Sequence, residues 1–284
     1  MNYLLKRLNE LNPKTSDEAV FIVREFLQEI VLIGLSRGGF FSKATFYGGT
    51  ALRIFDNLNR YSEDLDFTLN EPDSNFDISK YKKSIIDVAA SYEVDLDIDI
   101  KEKKNDSNIE SAFAKLNTYL FFINVNFNSE ISNRLHKDEK LKVKFEVDTS
   151  PALGFNIESK WIIEPEFASI NVLDDASLFA GKIHAILCRT YKNNVKGRDY
   201  YDFMHFIRKG TKPNLVYLKN KLIQSGKIAI DDPFDIDDVK ALLIKKIDIV
   251  NFDDIRKDAQ RFLIENEDLS QYSKELFYDC IRRI

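Results

Sequence analysis

Two aspartates are the residues of this chain whose type and spacing most clearly suggest chemistry. Asp64 and Asp66 are two residues apart on a predicted strand, so their side chains leave from one face. Adjacent carboxylates repel each other unless a divalent cation bridges them, and Mg²⁺ prefers such oxygen ligands together with substrate phosphates. The pair therefore indicates in-line displacement at a nucleotide α-phosphate, in which metal ions stabilise the attacking and leaving oxygens.

A glycine pair lies upstream of these aspartates, between a predicted strand and a predicted helix. Gly48 and Gly49 allow a phosphate to approach the backbone closely, and the amide groups and dipole of a helix N-terminus favour its negative charge. Thr50 adds a hydroxyl donor at the same turn. Arg53 follows three residues later on the same helical face. The segment is therefore interpreted as a phosphate-binding turn.

The segment 142–148 offers a third carboxylate. Its strict alternation predicts a half-buried strand whose polar residues share one face, and Asp148 lies on that face. A neighbouring strand could place Asp148 beside Asp64 and Asp66, where it would ligate metal or accept the proton of the attacking hydroxyl. Glu146 is its substitute. The alternative is that this face of the strand is simply solvated.

A basic strip follows in the second half of the chain, where no acidic residue occurs between Asp175 and Asp199. Its members are Lys182, Arg189, Lys192, Lys196 and Arg198. Lys182 and Arg189 are seven residues apart and share a helix face, which suits them to a triphosphate or a polynucleotide. Asp199 and Asp202 follow at i, i+3. The alternatives are that Asp199 is an ordinary first-turn residue and the strip a solvated face with salt bridges.

Each of these motifs has an ordinary explanation when it is taken alone. Glycine pairs are common in turns. Asp-x-Asp also begins at Asp95, Asp97 and Asp235, where a solvated strand face or a helix cap explains it. What distinguishes Asp64 and Asp66 is the phosphate-type turn upstream, in the order strand, turn, helix, strand.

Hydrophobic periodicity predicts the elements that must position these residues. The predicted strands are 44–47, 65–69, 94–101, 116–127, 141–148 and 167–172. The predicted helices are 16–35, 50–57, 77–92, 175–191, 198–209, 214–225, 236–247, 253–264 and 270–283. Strands stop near residue 174, so we predict a mixed α/β (α+β) domain over 1–173 and a helical domain over 174–284.

Composition excludes several classes of protein. The 284 residues carry a net charge of −5, which argues against non-specific coating of nucleic acid but allows a local basic cleft. No stretch approaches 18 consecutive apolar residues, and the first residues lack the apolar core of a signal peptide, so we expect a soluble cytoplasmic protein without membrane partners. The two cysteines cannot form a disulfide framework, and no Cys/His spacing resembles a zinc site.

Together these motifs resemble the AbiEii/AbiGii family of nucleotidyltransferase toxins, within the DNA polymerase β-like superfamily. The resemblance spans roughly residues 40–205 and rests on four segments in order: Gly48 to Arg53, Arg60 to Phe67, Lys182 with Arg189, and Arg198-Asp199-Tyr-Tyr-Asp202. It implies a polymerase β-like mixed sheet with helices, followed by a helical half. It also implies a bacterial toxin of an abortive-infection or toxin–antitoxin pair that needs Mg²⁺ and a nucleoside triphosphate.

Carried over by position, the resemblance implies roles for single residues. The glycine turn would hold phosphates, Asp64 and Asp66 the metal, and Lys182 the triphosphate, while Asp199 or Asp202 would complete the active site. Some family members add nucleotides to the 3′ end of tRNA, so we expect transfer of a nucleoside monophosphate to an acceptor hydroxyl there, with a cognate antitoxin as a candidate partner. The alternatives are transfer to a small molecule or protein, and a non-catalytic nucleotide-binding protein.

Overall fold

A computed structural model describes residues 3–101, 108–124, 127, 138, 140–189 and 195–284. Its contacts divide the chain into two compact units. The first comprises Met1–Phe46, Glu63–Pro151 and Ser159–Asn171, and the second comprises Tyr47–Ser62, Ala152–Glu158 and Val172–Ile284. Each unit thus takes three segments of chain, whereas the sequence predicts a single break near residue 174. Whether 1–173 and 174–284 fold as domains stays a prediction.

A seven-stranded mixed sheet, most of which belongs to the first unit, is built in the order β3-β4-β5-β2-β1-β7-β6. Its strands are β1 (Ala44–Tyr47), β2 (Leu65–Leu69), β3 (Asp97–Ile100), β4 (Ile109–Asn117), β5 (Lys140–Asp148), β6 (Ile157–Ile162) and β7 (Ala168–Leu173). The pair β2/β5 is parallel, whereas β3/β4 and β4/β5 are antiparallel. Alternating burial along β5 turns its odd-numbered residues into the core and its polar residues to the other face.

The helices of the first unit cover this sheet. They are α1 (Tyr3–Leu11), α2 (Ser16–Arg37), α4 (Lys82–Ser91) and α5 (Thr118–Asn124). The Thr15 hydroxyl caps α2 by accepting a hydrogen bond from the Glu18 N–H. The Gly34 backbone of α2 touches the Ile85 backbone of α4 so closely that a side chain at this glycine would clash. That contact brings the two helices together.

The second unit is helical. Its helices are α3 (Gly49–Asp56), α6 (Asp175–Cys188), α7 (Gly197–Lys209), α8 (Leu215–Gln224), α9 (Ile236–Ile249), α10 (Phe252–Gln260) and α11 (Lys274–Arg282). Phe179 of α6, Phe203 and Phe206 of α7 and Phe277 of α11 stack in its core. Among the described residues, no helix has the length and apolar character that crossing a membrane requires.

Most predicted elements are present, with the ends of the helices shifted by up to a few residues. The predicted strand 116–127 is wrong, because β4 ends at Asn117 and α5 begins directly after it. The Asn117 side chain accepts a hydrogen bond from the Leu120 N–H, as a helix cap does, and an apolar run without alternation fits either structure. The helix predicted over 77–92 begins as a 3₁₀ turn, and α1, β6 and most of β4 were not predicted.

Candidate active site

The glycine turn joins β1 to α3. Gly48 has φ +90° and ψ −163°, a backbone conformation that side chains other than hydrogen rarely permit, and α3 begins at the next residue. A Cβ on Gly49 would lie 2.5 Å from Nη2 of Arg60, so a glycine is needed for the guanidinium to approach. Thr50 is buried behind the turn. The turn thus leads directly into a helix N-terminus, and Arg60 lies against its backbone.

Arg60 makes a buried, bidentate ion pair with Asp202 of α7. Its Nε donates to Oδ1 and its Nη2 to Oδ2, each at 2.6 Å, and both side chains are almost completely shielded from solvent. Burial alone would raise the pKa of Asp202, but the charges of Arg60 and Lys182 outweigh burial and hold that pKa below its usual range. Asp202 is therefore a carboxylate at neutral pH.

Three further residues extend this pair. Lys182 Nζ of α6 lies 2.7 Å from Oδ2 of Asp202 and 3.8 Å from Oδ1 of Asp199, and the Lys182 side chain is only 12% exposed. Asp199 also accepts a hydrogen bond from Arg189. We call the set of Arg60, Lys182, Arg189, Asp199 and Asp202 the buried ion-pair network. It contains three cations and two carboxylates, and the third cation, Arg189, is 44% exposed at its edge.

The spacing of the network residues along the chain explains how they meet. Asp199 and Asp202 are three residues apart on α7, so both carboxylates leave from one face of that helix. Lys182 belongs to α6, and Arg189 follows directly after its last residue. The structure thus brings together Lys182, Arg189, Asp199 and Asp202 of the predicted site residues.

The remaining predicted arginines make other contacts. Nη1 of Arg53 donates to the Leu58 carbonyl at 3.1 Å, at the end of α3. The guanidinium of Arg198 stacks 3.8 Å above the Phe262 ring. Lys192 of the basic strip lies outside the described residues.

Three candidate metal ligands, Asp66, Glu146 and Asp148, lie on two parallel neighbouring strands. Asp66 of β2 is in register with Glu146 of β5, and Thr68 is in register with Asp148. Neighbouring strands are about 4.8 Å apart, and residues in register on them point to the same face. Asp148 therefore lies two residues, roughly 6.6 Å, beyond the level of Asp66. Asp64 is exposed and directly precedes β2.

The partners of these carboxylates differ. Glu146 accepts a hydrogen bond from the Ser111 hydroxyl at 2.9 Å and pairs with Lys144 Nζ at 2.7 Å. Asp148 accepts from the Ser150 N–H at 3.0 Å. In the parts of the chain that the structure describes, no group of three or more His, Cys, Asp or Glu side chains is arranged to hold a metal. Asp66 and Glu146 offer the oxygen ligands that Mg²⁺ prefers, and this ion commonly binds through one or two carboxylates plus substrate phosphates.

Arg60 is the site residue that we did not predict. It stands at the start of the segment 60–67 that carries the family resemblance, but spacing alone does not reveal that an arginine is buried. An arginine is almost never buried unless an acidic partner accompanies it, so once Arg60 is known to be buried an acidic partner is expected. The acidic residues of α7 provide that partner, 142 positions later in the chain.

Comparison with known proteins adds evidence independent of this geometry. The model of the family described as "Nucleotidyl transferase AbiEii toxin, Type IV TA system" matches residues 30–277, which is most of the chain. No curated protein sequence matches.

Similar solved structures share little sequence with the chain. JHP933 from Helicobacter pylori is 15% identical with a TM-score of 0.49, and the alignment covers 92% of this chain and 90% of that one. The nucleotidyltransferase toxin MenT4 from Mycobacterium tuberculosis is 15% identical with a TM-score of 0.45, over 100% of this chain and 86% of that one. At these values neither structure adds to the family match.

Proposed function

Because the chain belongs to the AbiEii family of nucleotidyltransferase toxins and is thus a nucleotidyltransferase of a toxin–antitoxin system, we propose that it transfers a nucleoside monophosphate from an Mg²⁺-bound nucleoside triphosphate to the 3′ end of tRNA. Pyrophosphate leaves in this reaction. The protein acts in the cytoplasm, where both substrates occur, and its activity is opposed by a cognate antitoxin.

The observation that carries the proposal is the buried ion-pair network. It connects three segments that are far apart in sequence, namely the glycine turn through Arg60, the helix α6 through Lys182 and the helix α7 through Asp202. Arg60 of this network lies against the backbone of the glycine turn. Cations and free amide groups that meet at the N-terminus of a helix suit the binding of a triphosphate.

Within this proposal, residues of the second unit hold the triphosphate. The backbone of Gly48 and Gly49, with the hydroxyl of Thr50, binds phosphate oxygens, as amide groups at a helix N-terminus do. Lys182 neutralises charge on the same phosphates. The ion pair of Arg189 with Asp199 orders the edge of the network, and Asp202 holds Lys182 in place. Arg53 and Arg198 remain proposed phosphate contacts.

The carboxylates of the first unit hold the metal. We assign Asp64 and Asp66 as ligands, with either Glu146 or Asp148 as the third carboxylate. The strand register favours Glu146, because it is level with Asp66 whereas Asp148 is level with Thr68. When bound, Mg²⁺ would supply charge neutralisation at the attacking and leaving oxygens.

The test is transfer of label from each of four α-labelled nucleoside triphosphates, with Mg²⁺, to purified tRNA and to total cellular RNA. We expect labelling of tRNA by wild-type protein and its loss in Asp66→Asn. Glu146→Gln should reduce transfer more than Asp148→Asn if the register determines the third ligand. Absence of labelled RNA with every triphosphate would contradict the proposal.

The same kind of assay can identify an acceptor other than tRNA. Family membership disfavours the non-catalytic alternative, but it leaves transfer to a protein or to a small molecule as alternatives. A cell extract depleted of RNA provides both acceptors in one reaction. Label that appears there on protein, or on a small molecule separated by chromatography, would replace tRNA as the substrate while preserving the nucleotidyl transfer.

A further inference from the structure

A pocket of about 330 Å³ lies in the helical unit, and the residues of the glycine turn are not part of its lining. We call it the basic pocket. It is lined by Leu187, Arg189, Leu222, Lys227, Leu242, Lys245, Lys246 and Ile249, which come from α8, α9 and the segments that end α6 and follow α8. Half of these residues are cationic, half are aliphatic, and none is acidic. Such a lining combines anion binding with an apolar surface.

The charge of Arg189 in the pocket is paired with Asp199, but two lysines of the lining have no described ion pair. Within the described residues, Lys227 and Lys245 make no ion pair, and Lys246 Nζ donates to the backbone carbonyl of Arg189 at 2.8 Å. By contrast, Lys240 on the same helix α9 pairs with Asp237. The lysines of the pocket thus differ from an ordinary solvated helix face, where opposite charges alternate.

Two titratable groups in this region have lowered pKa values. Burial, followed by the charge of Lys227, lowers the pKa of Lys246. Burial also lowers the pKa of His184 to about 4, with Lys221, Arg189 and Lys227 contributing in the same direction. A backbone contact at Lys221 opposes this shift only in part. Burial is the larger cause of both pKa shifts, and the neighbouring cations add to it.

The apolar half of the lining narrows the class of ligand. Ile249 is 79% exposed, and with Leu242 it offers an aliphatic surface beside the lysines. A bare phosphate makes no favourable contact with an aliphatic surface. A nucleotide has both parts, because its base and ribose can pack on aliphatic side chains while the flanking phosphates meet lysines. The volume accommodates one nucleotide and no folded segment.

The pocket is physically continuous with the buried ion-pair network. Arg189 belongs to both, since its guanidinium binds Asp199 and its carbonyl accepts from Lys246. A strand bound in the pocket would therefore contact Arg189, one member of the network. This position favours a substrate of the transfer reaction over a regulatory partner.

We infer that the basic pocket binds one nucleotide of the acceptor RNA strand, with phosphates on Lys227 and Lys245 and the nucleoside on Leu242 and Ile249. The inference rests on the proposed function, which it deepens by assigning a place for the acceptor. An acidic protein segment, such as part of an antitoxin, is the other ligand that the same charges would attract, and the test distinguishes it.

The test measures binding of fluorescein-labelled deacylated tRNA by anisotropy, as a function of salt, for wild type and for Lys227→Ala with Lys245→Ala. Loss of two phosphate contacts should reduce the slope of log affinity against log salt by about 1.4 and weaken binding about 25-fold at 0.1 M salt. The control, Lys14→Ala with Lys80→Ala, makes the same change in net charge at two exposed lysines of the first unit. It should bind within about twofold of wild type.

A second variant tests the apolar half. Ile249→Ser alters a side chain that is mostly in solvent, so folding is preserved, and it should weaken tRNA binding while leaving the salt slope unchanged. Wild-type affinity in the lysine double variant would overturn the inference. So would binding of poly-glutamate, but not of tRNA, to the wild-type protein.

Failure of the inference and failure of the proposed function are distinguishable. If the wild type labels tRNA and the lysine double variant does so with an unchanged KM for tRNA, the pocket assignment is wrong and the function stands. If tRNA binds with the expected lysine dependence but no nucleotide is transferred, the pocket stands and the function is wrong.

Discussion

Replacement of Asp202 by asparagine is the most direct test of the buried ion-pair network. Asp202 accepts two hydrogen bonds from Arg60 at 2.6 Å and lies 2.7 Å from Lys182 Nζ. Asparagine keeps the shape of the side chain but removes its negative charge and offers one carbonyl oxygen in place of two carboxylate oxygens. Two cations with little access to solvent then depend on Asp199 alone.

The expected magnitude follows from burial. Removal of one partner of a buried ion pair costs about 3–5 kcal/mol, because an uncompensated charge remains in a medium that solvates it poorly. Asp199 stays near Lys182 and compensates in part, so we expect the lower end, about 3 kcal/mol, for Asp202→Asn. In a double-mutant cycle with Arg60→Met, the coupling energy should be about 2–3 kcal/mol.

The chain supplies a matched control in Lys83 and Asp87. These residues form an i,i+4 ion pair on α4, with side chains 85% and 58% exposed. Solvent screens such a pair, so its coupling energy should stay below about 0.5 kcal/mol. The contrast separates the effect of burial from that of charge pairing itself.

The assay is urea denaturation followed by the far-ultraviolet circular dichroism of helices, which both units contain. Tryptophan fluorescence is unsuitable, because the single tryptophan, Trp161, is exposed and belongs to the first unit. A coupling energy for Arg60 and Asp202 no larger than that of Lys83 and Asp87 would refute this account of the network.

Three further predictions follow from particular contacts. Gly197→Ala should lower the free energy of unfolding by about 2 kcal/mol or more, because its Cβ would overlap the Ile255 carbonyl. Gly181→Ala, with no described atom near its Cβ, should raise the free energy of unfolding by up to about 1 kcal/mol. Urea denaturation compares the two variants. Burial, with nearby cations, lowers the pKa of His184 to about 4, so only the unfolded state gains a proton between about pH 6.5 and pH 4. The contribution of His184 to stability is therefore full above this window and falls as the pH drops through it, by at most about 1.4 kcal/mol per pH unit. His184→Gln should flatten this dependence when urea denaturation at pH 7 and at pH 5 is compared. Chelation of divalent cations by EDTA should abolish nucleotidyl transfer, and excess Mg²⁺ should restore it.

The sequence predicted those elements whose signals are local. The strand β1, the glycine turn and the helix α3 are marked by a short apolar run, two glycines and helical periodicity within about fourteen residues. The strand β2 was predicted with its observed bounds for the same reason. Local hydrogen bonding and side-chain periodicity determine these elements, so they can be inferred without knowing what packs on them.

Long-range pairing could not be predicted in this way. The parallel register that sets Asp66 beside Glu146 joins strands 80 positions apart, and nothing in the alternation of either strand specifies which residues are level. The same limit applies to Arg60 and Asp202. Each side chain is unremarkable in sequence, and their pairing exists only because the segment after α3 and the helix α7 belong to one compact unit.

The last eighty residues carry no motif that we identified, yet the family match extends through them to residue 277. Their contacts explain why. The Phe262 carbonyl accepts a hydrogen bond from the Tyr61 N–H at 2.8 Å, Leu263 forms a β-bridge with Arg60, and the Phe262 ring lies under the Arg198 guanidinium. One short segment after α10 therefore supports both arms of the network, the Arg60 arm through its backbone and the α7 arm through Arg198. Because these contacts use backbone groups and an aromatic face, many sequences can make them, and no short motif results.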